Sequence, residues 1–331
     1  MRAPFDHDPS ALSRRRAIQC GVLALVGCGR PVTEPSSDWG AAGLGRPRWL
    51  ASAGEDLFFL DDSPGTRGGG AIFRLPHAGG LARGVVFEST GITGAAVWPE
   101  GIVWVPRRGG GALKLLEHRH PEASRVLTTG PAAWREALVT DGVDVFGSTV
   151  GGPLVAVPLA GGPSRNLFPE PATALALAPG VLVFVAGDTL RVVPRQGGSS
   201  APLAPARGVG SLVVRGSYAY WAERSRPLGA RTGALRRVAL AGGPVETLVA
   251  GIADPEALAV GGARAWYAGA VFDPEARRGA RVLGSVDLGS RSHREGSCPV
   301  GVTALLCEGA SLYLVGTLGA KVGGVVRRQP A

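Results

Sequence analysis

Apolar residues fall in short alternating runs, and the runs recur in groups spaced about forty residues apart. One member of each group is aromatic or aliphatic: DLFFL from Asp56, IVWV from Ile102, DVFGS from Asp144, LVFV from Leu182, YAYWA from Tyr218, RAWYA from Arg264 and SLYLV from Ser311. Each is followed by a strand reading roughly G-x-L-x-R-V-P, and then usually by Gly-Gly. The clearest copies are AIFRLPHAGG at 71–80, GPLVAVPLAGGPSRNL at 152–167 and GALRRVALAGGPVETL at 233–248. Counted on the proline-like position, the register is Pro76, Glu117, Pro158, Pro194, Ala239, Asp287 and Pro330. The spacings are 41, 41, 36, 45, 48 and 43 residues, so loops absorb the variation while the unit persists.

Another strand precedes each aromatic run, as in ALVTDG at 137–142 and ALAVGG at 257–262. The Asp-Gly or Gly-Gly that ends it fits a tight hairpin, because those residues accept positive φ. A fourth strand follows the second Gly-Gly turn, as in RGVVFES at 83–89. Four strands, A to D, repeated seven times predict an all-β chain: a seven-bladed β-propeller of four-stranded blades. The 52 glycines and the lack of a helical apolar period beyond residue 30 agree. The last copy ends on strand C. Either residues 39–45 supply its strand D and close the ring, or the last blade has three strands.

The chain divides into residues 1–27, an export signal; 28–38, a tether rich in proline and serine; and 39–331, the propeller. Arg14-Arg15 resembles the pair of a twin-arginine signal, although Ala17 and Gln19 stand where that pattern has an aromatic and a lysine. Leu25-Val26-Gly27-Cys28 resembles the lipobox of bacterial lipoproteins. That resemblance implies a lipidated Cys28, a membrane-anchored mature chain and a cell-envelope location. Gly29 after the cysteine, instead of aspartate, favours the outer membrane over the inner. The apolar run at 17–26 is too short to span a bilayer.

Cys298 and Cys307 are candidates for a disulfide in an oxidising compartment. A straight strand between them would hold the sulfurs roughly 30 Å apart, so a bond requires the chain to fold back near Pro299 and Gly301. Their spacing matches no zinc signature.

The net charge of +9 invites a nucleic-acid partner, but only Lys114 and Lys321 are lysines and no nucleic-acid module is present. In the propeller plan, the B–C and D–A connections share one face. Those connections carry eleven basic and ten acidic residues. The excess lies on outer strands, for example at Arg74, Arg165, Arg195 and Arg237. Such a rim either attracts anionic lipid or polysaccharide, or simply faces water.

Catalytic chemistry is sparse. His118-Arg119-His120 has a strand-type metal-pair spacing but replaces a C–D turn, at an exposed hairpin tip. No histidine falls in a B–C or D–A loop, and nucleophile-elbow, zinc-protease and phosphate-loop motifs are absent. No catalytic residue, metal site or cofactor is assigned. The longest B–C loops, at 222–233 and 269–279, belong to adjacent blades, and Trp134 is an aromatic in the loop TTGPAAWRE. Long loops on a rigid scaffold are where binding concentrates. Trp134, Arg226, Phe272, Asp273 and Arg278 are therefore the candidate binding residues.

The repeat resembles that of secreted or lipid-anchored bacterial propellers, L-A-V-D-G-x-x-V-Y-W…G-x-L-x-R-V-P-L-x-G-G, best in SLVVRGSYAYWAERSRPLGARTGALRRVALAGGP at 211–244. That resemblance implies the fold across nearly all of the mature chain and leaves the activity open, since propellers include scaffolds, sugar binders, lyases and hydrolases. In plan it also resembles the eight-bladed lipoprotein propeller that assists outer-membrane protein assembly. The expected function is non-catalytic binding or scaffolding by a monomeric envelope lipoprotein, with an envelope protein or polysaccharide as partner. The alternatives are a lyase or hydrolase acting on a polysaccharide or lactone, and an assembly-type scaffold. Cys28→Ser should release the protein from isolated membranes into the soluble fraction; continued sedimentation with membranes would refute the lipidation.

Overall fold

The computed structural model describes residues 47–62, 69–109, 111–129, 133–226, 230–273, 278–298, 301–318 and 322–330. These residues form an all-β propeller. Six antiparallel sheets each hold four strands in the sequential order A-B-C-D, and a final sheet holds three, at Gly301–Glu308, Ser311–Leu318 and Val322–Pro330. Residues 39–45, expected to complete that last sheet, lie outside the described residues, as do the export signal and Cys28.

The repeat register coincides with the strand ends. Pro76, Glu117, Pro158, Pro194, Ala239, Asp287 and Pro330 are each the last residue of a strand C. In four blades the next turn is closed by a glycine N–H three residues on: Gly79 donates to Pro76 O (2.9 Å), Gly161 to Pro158 O (3.0 Å), Gly197 to Pro194 O (2.9 Å) and Gly242 to Ala239 O (2.9 Å). Each of these glycines and its successor takes positive φ, such as 97° and 117° at Gly79 and Gly80. A side chain there would be strained, which explains the repeated Gly-Gly.

Strand B is buried on both faces because every blade is sandwiched between neighbours. In Asp56–Asp61 all six residues are buried. Successive side chains on a strand point to opposite faces. Phe58 accordingly packs with Ile102, Trp104 and Leu116 of blade two, whereas Phe59 packs with Tyr313 and Val315 of the last sheet. Blade five repeats the arrangement: Trp221 packs with Val183 and Val185 of blade four, and Tyr220 with Leu258 and Tyr267 of blade six.

Strands A pack against one another from blade to blade, and strand A of the last sheet packs against strand A of blade one. Thr303 Oγ1 donates to Pro47 O across that junction (2.5 Å), and His77 stacks on Tyr313 with its Nε2 3.0 Å from Glu308 Oε2.

The cysteine expectation is corrected here. Cys298 and Cys307 are thiols. Cys307 lies near the end of strand Gly301–Glu308 and Cys298 before its start, and Pro299, where the chain would have to fold back, lies outside the described residues. Cys307 sits against Gly261 of blade six, and burial pushes its thiol up to about 11.

Phe59→Ala should lower unfolding stability by about 3–5 kcal/mol, because it empties a packed junction. Phe87→Ala, at an exposed site, should stay within about 0.5 kcal/mol. Urea unfolding followed by tryptophan fluorescence would compare the two.

Candidate functional site

The B–C and D–A connections emerge at the end of the sheets where each strand A begins, and there every A–B pair is irregular. One residue of strand A is skipped in the pairing: Arg48, Thr93, Thr173, Gly210, Glu256 and Thr303, with a wider gap over Arg135 to Ala137 in blade three. A bulge bends its strand and re-aims the extra side chain, and bulges are frequent beside functional sites. This seven-fold row crowds the backbones. A methyl group on Gly94 would collide with Glu136 O of blade three, and one on Gly210 would lie 2.8 Å from Pro255 O of blade six. Glycine permits that approach.

Two charged clusters are built on the row. In the first, Arg48 Nε pairs with Asp62 Oδ2 (3.2 Å), Nη1 with Glu136 Oε1 (3.2 Å), and Nη2 donates to Thr93 O (3.0 Å) and to Ile92 O. Arg107 also pairs with Asp62. A single guanidinium thus ties blades one, two and three together. In the second cluster, Arg224 donates to both carboxylate oxygens of Asp254, from Nε at 3.3 Å and Nη2 at 2.9 Å, and from Nη2 to Glu256 Oε1 at 3.1 Å. The Ser225 amide also donates to Asp254 Oδ1 (2.8 Å), and Arg281 Nη1 lies 3.6 Å from Glu256 Oε2. The Asp254 side chain is only 4% exposed. Its hydrogen bond to Arg224 holds the guanidinium more firmly protonated.

A third network lies between blades five and six. The Tyr267 hydroxyl donates to Glu295 Oε2 and lies 2.8 Å from His293 Nε2, and Arg231 pairs with Glu295 Oε1. Burial pushes the Tyr267 hydroxyl upward, and the Glu295 carboxylate adds to the shift, so the phenol stays protonated and donates.

The blade-five B–C loop is fixed at both ends, by Arg224 on Asp254 and by Arg231 on Glu295. Within it, Ser225 Oγ donates to Ala230 O (2.5 Å) and the Arg226 amide to Thr232 Oγ1 (3.0 Å).

The candidate binding residues separate in space. Trp134 opens strand Trp134–Thr140 instead of lying in a loop. It is 5% exposed, packs in the core shared by blades two and three, and donates from its indole to Gly111 O (2.8 Å). Arg226 is exposed, with its guanidinium beside Gly208. Phe272, Asp273 and Arg278 belong to an extended B–C hairpin, not a loop: Phe272 pairs in register with Gly279, and Asp273 with Arg278. The H-x-H is also corrected. His118 is half-buried, stacked on Phe58 (5.7 Å between centroids), with Nδ1 3.1 Å from Pro99 O; only His120 is fully exposed. Burial lowers the His118 pKa from its ordinary value. Among the described residues, no three His, Cys, Asp or Glu side chains group as metal ligands do.

Arg48 was the residue missed. It reads as an ordinary strand-A position, and its signal is its alignment with Thr93, Thr173, Glu256 and Thr303. Glu295 and His293 carry the weaker signal of two polar residues two positions apart on strand D.

No family model matches the chain, and no curated protein matches it. Solved structures do. Puromycin hydrolase superposes with a TM-score of 0.63 at 19% identity, over 83% of this chain and 50% of that one. Virginiamycin B lyase from Staphylococcus aureus gives 0.61 at 11% identity, over 85% and 95%. PorZ, a bacterial surface component of the type-IX secretion system of Porphyromonas gingivalis, gives 0.57 at 12%, over 88% and 39%. The likeness is one of fold. This chain spans about half of the puromycin hydrolase chain and less of PorZ.

Arg224→Ala should cost on the order of 3 kcal/mol, since it strips a buried carboxylate of its counter-charge. Arg207→Ala removes an exposed pair with Asp188 at 3.7 Å and should cost less than about 1 kcal/mol. Denaturant midpoints of the two variants test the difference.

Proposed function

We propose that this chain is a non-catalytic binding or scaffolding propeller of the cell envelope, a monomer tethered through lipidated Cys28 at the outer membrane. In this reading the last sheet is a seventh blade, completed by residues 39–45, and the strand-A contacts between the first and last sheets support a closed ring. The observation that carries the function is how the charges are used at the B–C and D–A face. Arg48, Asp62, Arg107 and Glu136 engage one another across blades, and so do Arg224, Asp254, Glu256 and Arg281. Groups held this way brace a platform. A reaction centre instead leaves an acid or base within reach of a substrate.

The solved relatives span both alternatives: PorZ is named a surface component, whereas virginiamycin B lyase and puromycin hydrolase are named for reactions. The braced clusters favour the first kind of role.

Affinity capture from solubilised envelopes tests the proposal. The wild-type chain should retain a specific component, and Arg226→Glu, at an exposed position, should reduce that retention at least about tenfold with the unfolding midpoint unchanged. Equal retention by the variant would place binding elsewhere, and retention of nothing would refute the function.

A further inference from the structure

Among the described residues of the B–C and D–A face, basic and acidic side chains differ in exposure. In blades five and six two acids lie beneath their arginines: side-chain exposure is 4% for Asp254 against 35% for Arg224, and 11% for Glu295 against 51% for Arg231. Glu256 and Arg224 are equally exposed at 35%, and Arg207 is 75% exposed. Arg226 is exposed as well, and among the described residues its side chain has no ion-pair partner. Among the described residues, Glu170, in the connection entering blade four, and Asp188, 60% open, are exposed acids there, and Asp188 meets Arg207 only at 3.7 Å.

Arg224 and Arg231 are each held by a carboxylate, and Ser225 and Arg226 hydrogen-bond to Ala230 and Thr232, so these described positions need little further ordering to engage a ligand. Arg226 lies against Gly208, the chain neighbour of Arg207, so guanidiniums carried by two different connections belong to the same sector of this face. Guanidinium forks match carboxylates in a bidentate way.

The apolar surface points to the class of ligand. The exposed large hydrophobic residues among those described are Leu81, Phe87, Val126, Val143 and Val150, all in the first three blades. A protein partner anchors chiefly through buried apolar and aromatic contacts, and the described residues of the blade-four-to-six sector provide none at the surface. A flexible polymer bearing repeated carboxylates needs none.

We propose that Arg207, Arg226 and Arg231 form a docking surface for an acidic, uronate-type polysaccharide. This deepens the binding function above and rests on it. The test uses the purified full-length chain with immobilised polygalacturonate as the probe and neutral dextran as the comparison, at low and high salt. Wild type should bind polygalacturonate and not dextran, with affinity falling as salt rises. Arg207→Ala/Arg226→Ala should weaken binding at least about tenfold and flatten the salt dependence. Arg83→Ala/Arg294→Ala, which removes the same charge from exposed outer strands, should change it less than about twofold. An equal loss in both double variants reduces the effect to net charge and overturns the proposal, as does undiminished binding by Arg207→Ala/Arg226→Ala. A chain that captures an envelope component but has no affinity for polygalacturonate keeps the binding function and refutes the acidic-polysaccharide ligand.

Discussion

Each sheet here is buried by its neighbours on both faces, and strand B is where that requirement is strictest. Phe58 and Phe59 are adjacent in sequence, yet one completes the core with blade two and the other the core with the last sheet. An aromatic side chain buries roughly 150–250 Å², which at about 25 cal/mol per Å² is several kcal/mol for each junction. A sheet stacked on both faces while its inner strands are crowded becomes a wedge, and wedges in series curve. The bulges and the glycines at positions 94 and 210 follow from that crowding, because the strand-A backbones come too close for a regular ladder with side chains.

With the sheet faces occupied, charges are confined to strand ends, edges and connections, and this explains the arginine-rich rim. Outer-strand arginines find acids nearby: Arg74 with Asp56 (2.5 Å), Arg165 with Asp144 (2.7 Å), Arg195 with Asp141 (2.8 Å) and Arg237 with Glu246 (2.9 Å). Individually such partly exposed pairs contribute about 0–1 kcal/mol. Collectively they neutralise much of the rim that composition alone makes look basic. Asp254 differs because its carboxylate is enclosed, so its partner satisfies a group that water cannot reach.

The register was legible because it depends on local chemistry: alternation, positive-φ glycines and strand length are properties of neighbouring residues. Every strand C ends where the repeat count places it. What could not be read depends on which blades become neighbours. Arg48 meets Glu136 across 88 positions, and Arg231 meets Glu295 across 64. Trp134 reads as a loop aromatic because the Gly and Pro before it signal a turn, but the strand begins at Trp134, ahead of the apolar run ALVTDG that starts at Ala137. His118 looked exposed because turns usually are; its stacking on Phe58 requires blade one to lie alongside. The cysteines hinged on how the chain runs between them, which local pattern does not state; both are thiols.

Function on such a frame is a property of its connections. The same propeller fold is shared with proteins named as lyase, hydrolase and surface component at 19% identity or less, so the packing of the sheets does not by itself set the role. In this chain the blade-five connection is distinguished by its clamps. Asp254 and Glu295 are enclosed in the framework, and each holds one end of the loop through an arginine. That arrangement uses buried acid to fix base: the carboxylates lose access to solvent, and Arg224 and Arg231 are held in place by them. Guanidiniums held from beneath present charge at fixed positions, and that is the physical basis on which the proposed recognition of a repeating acidic polymer rests.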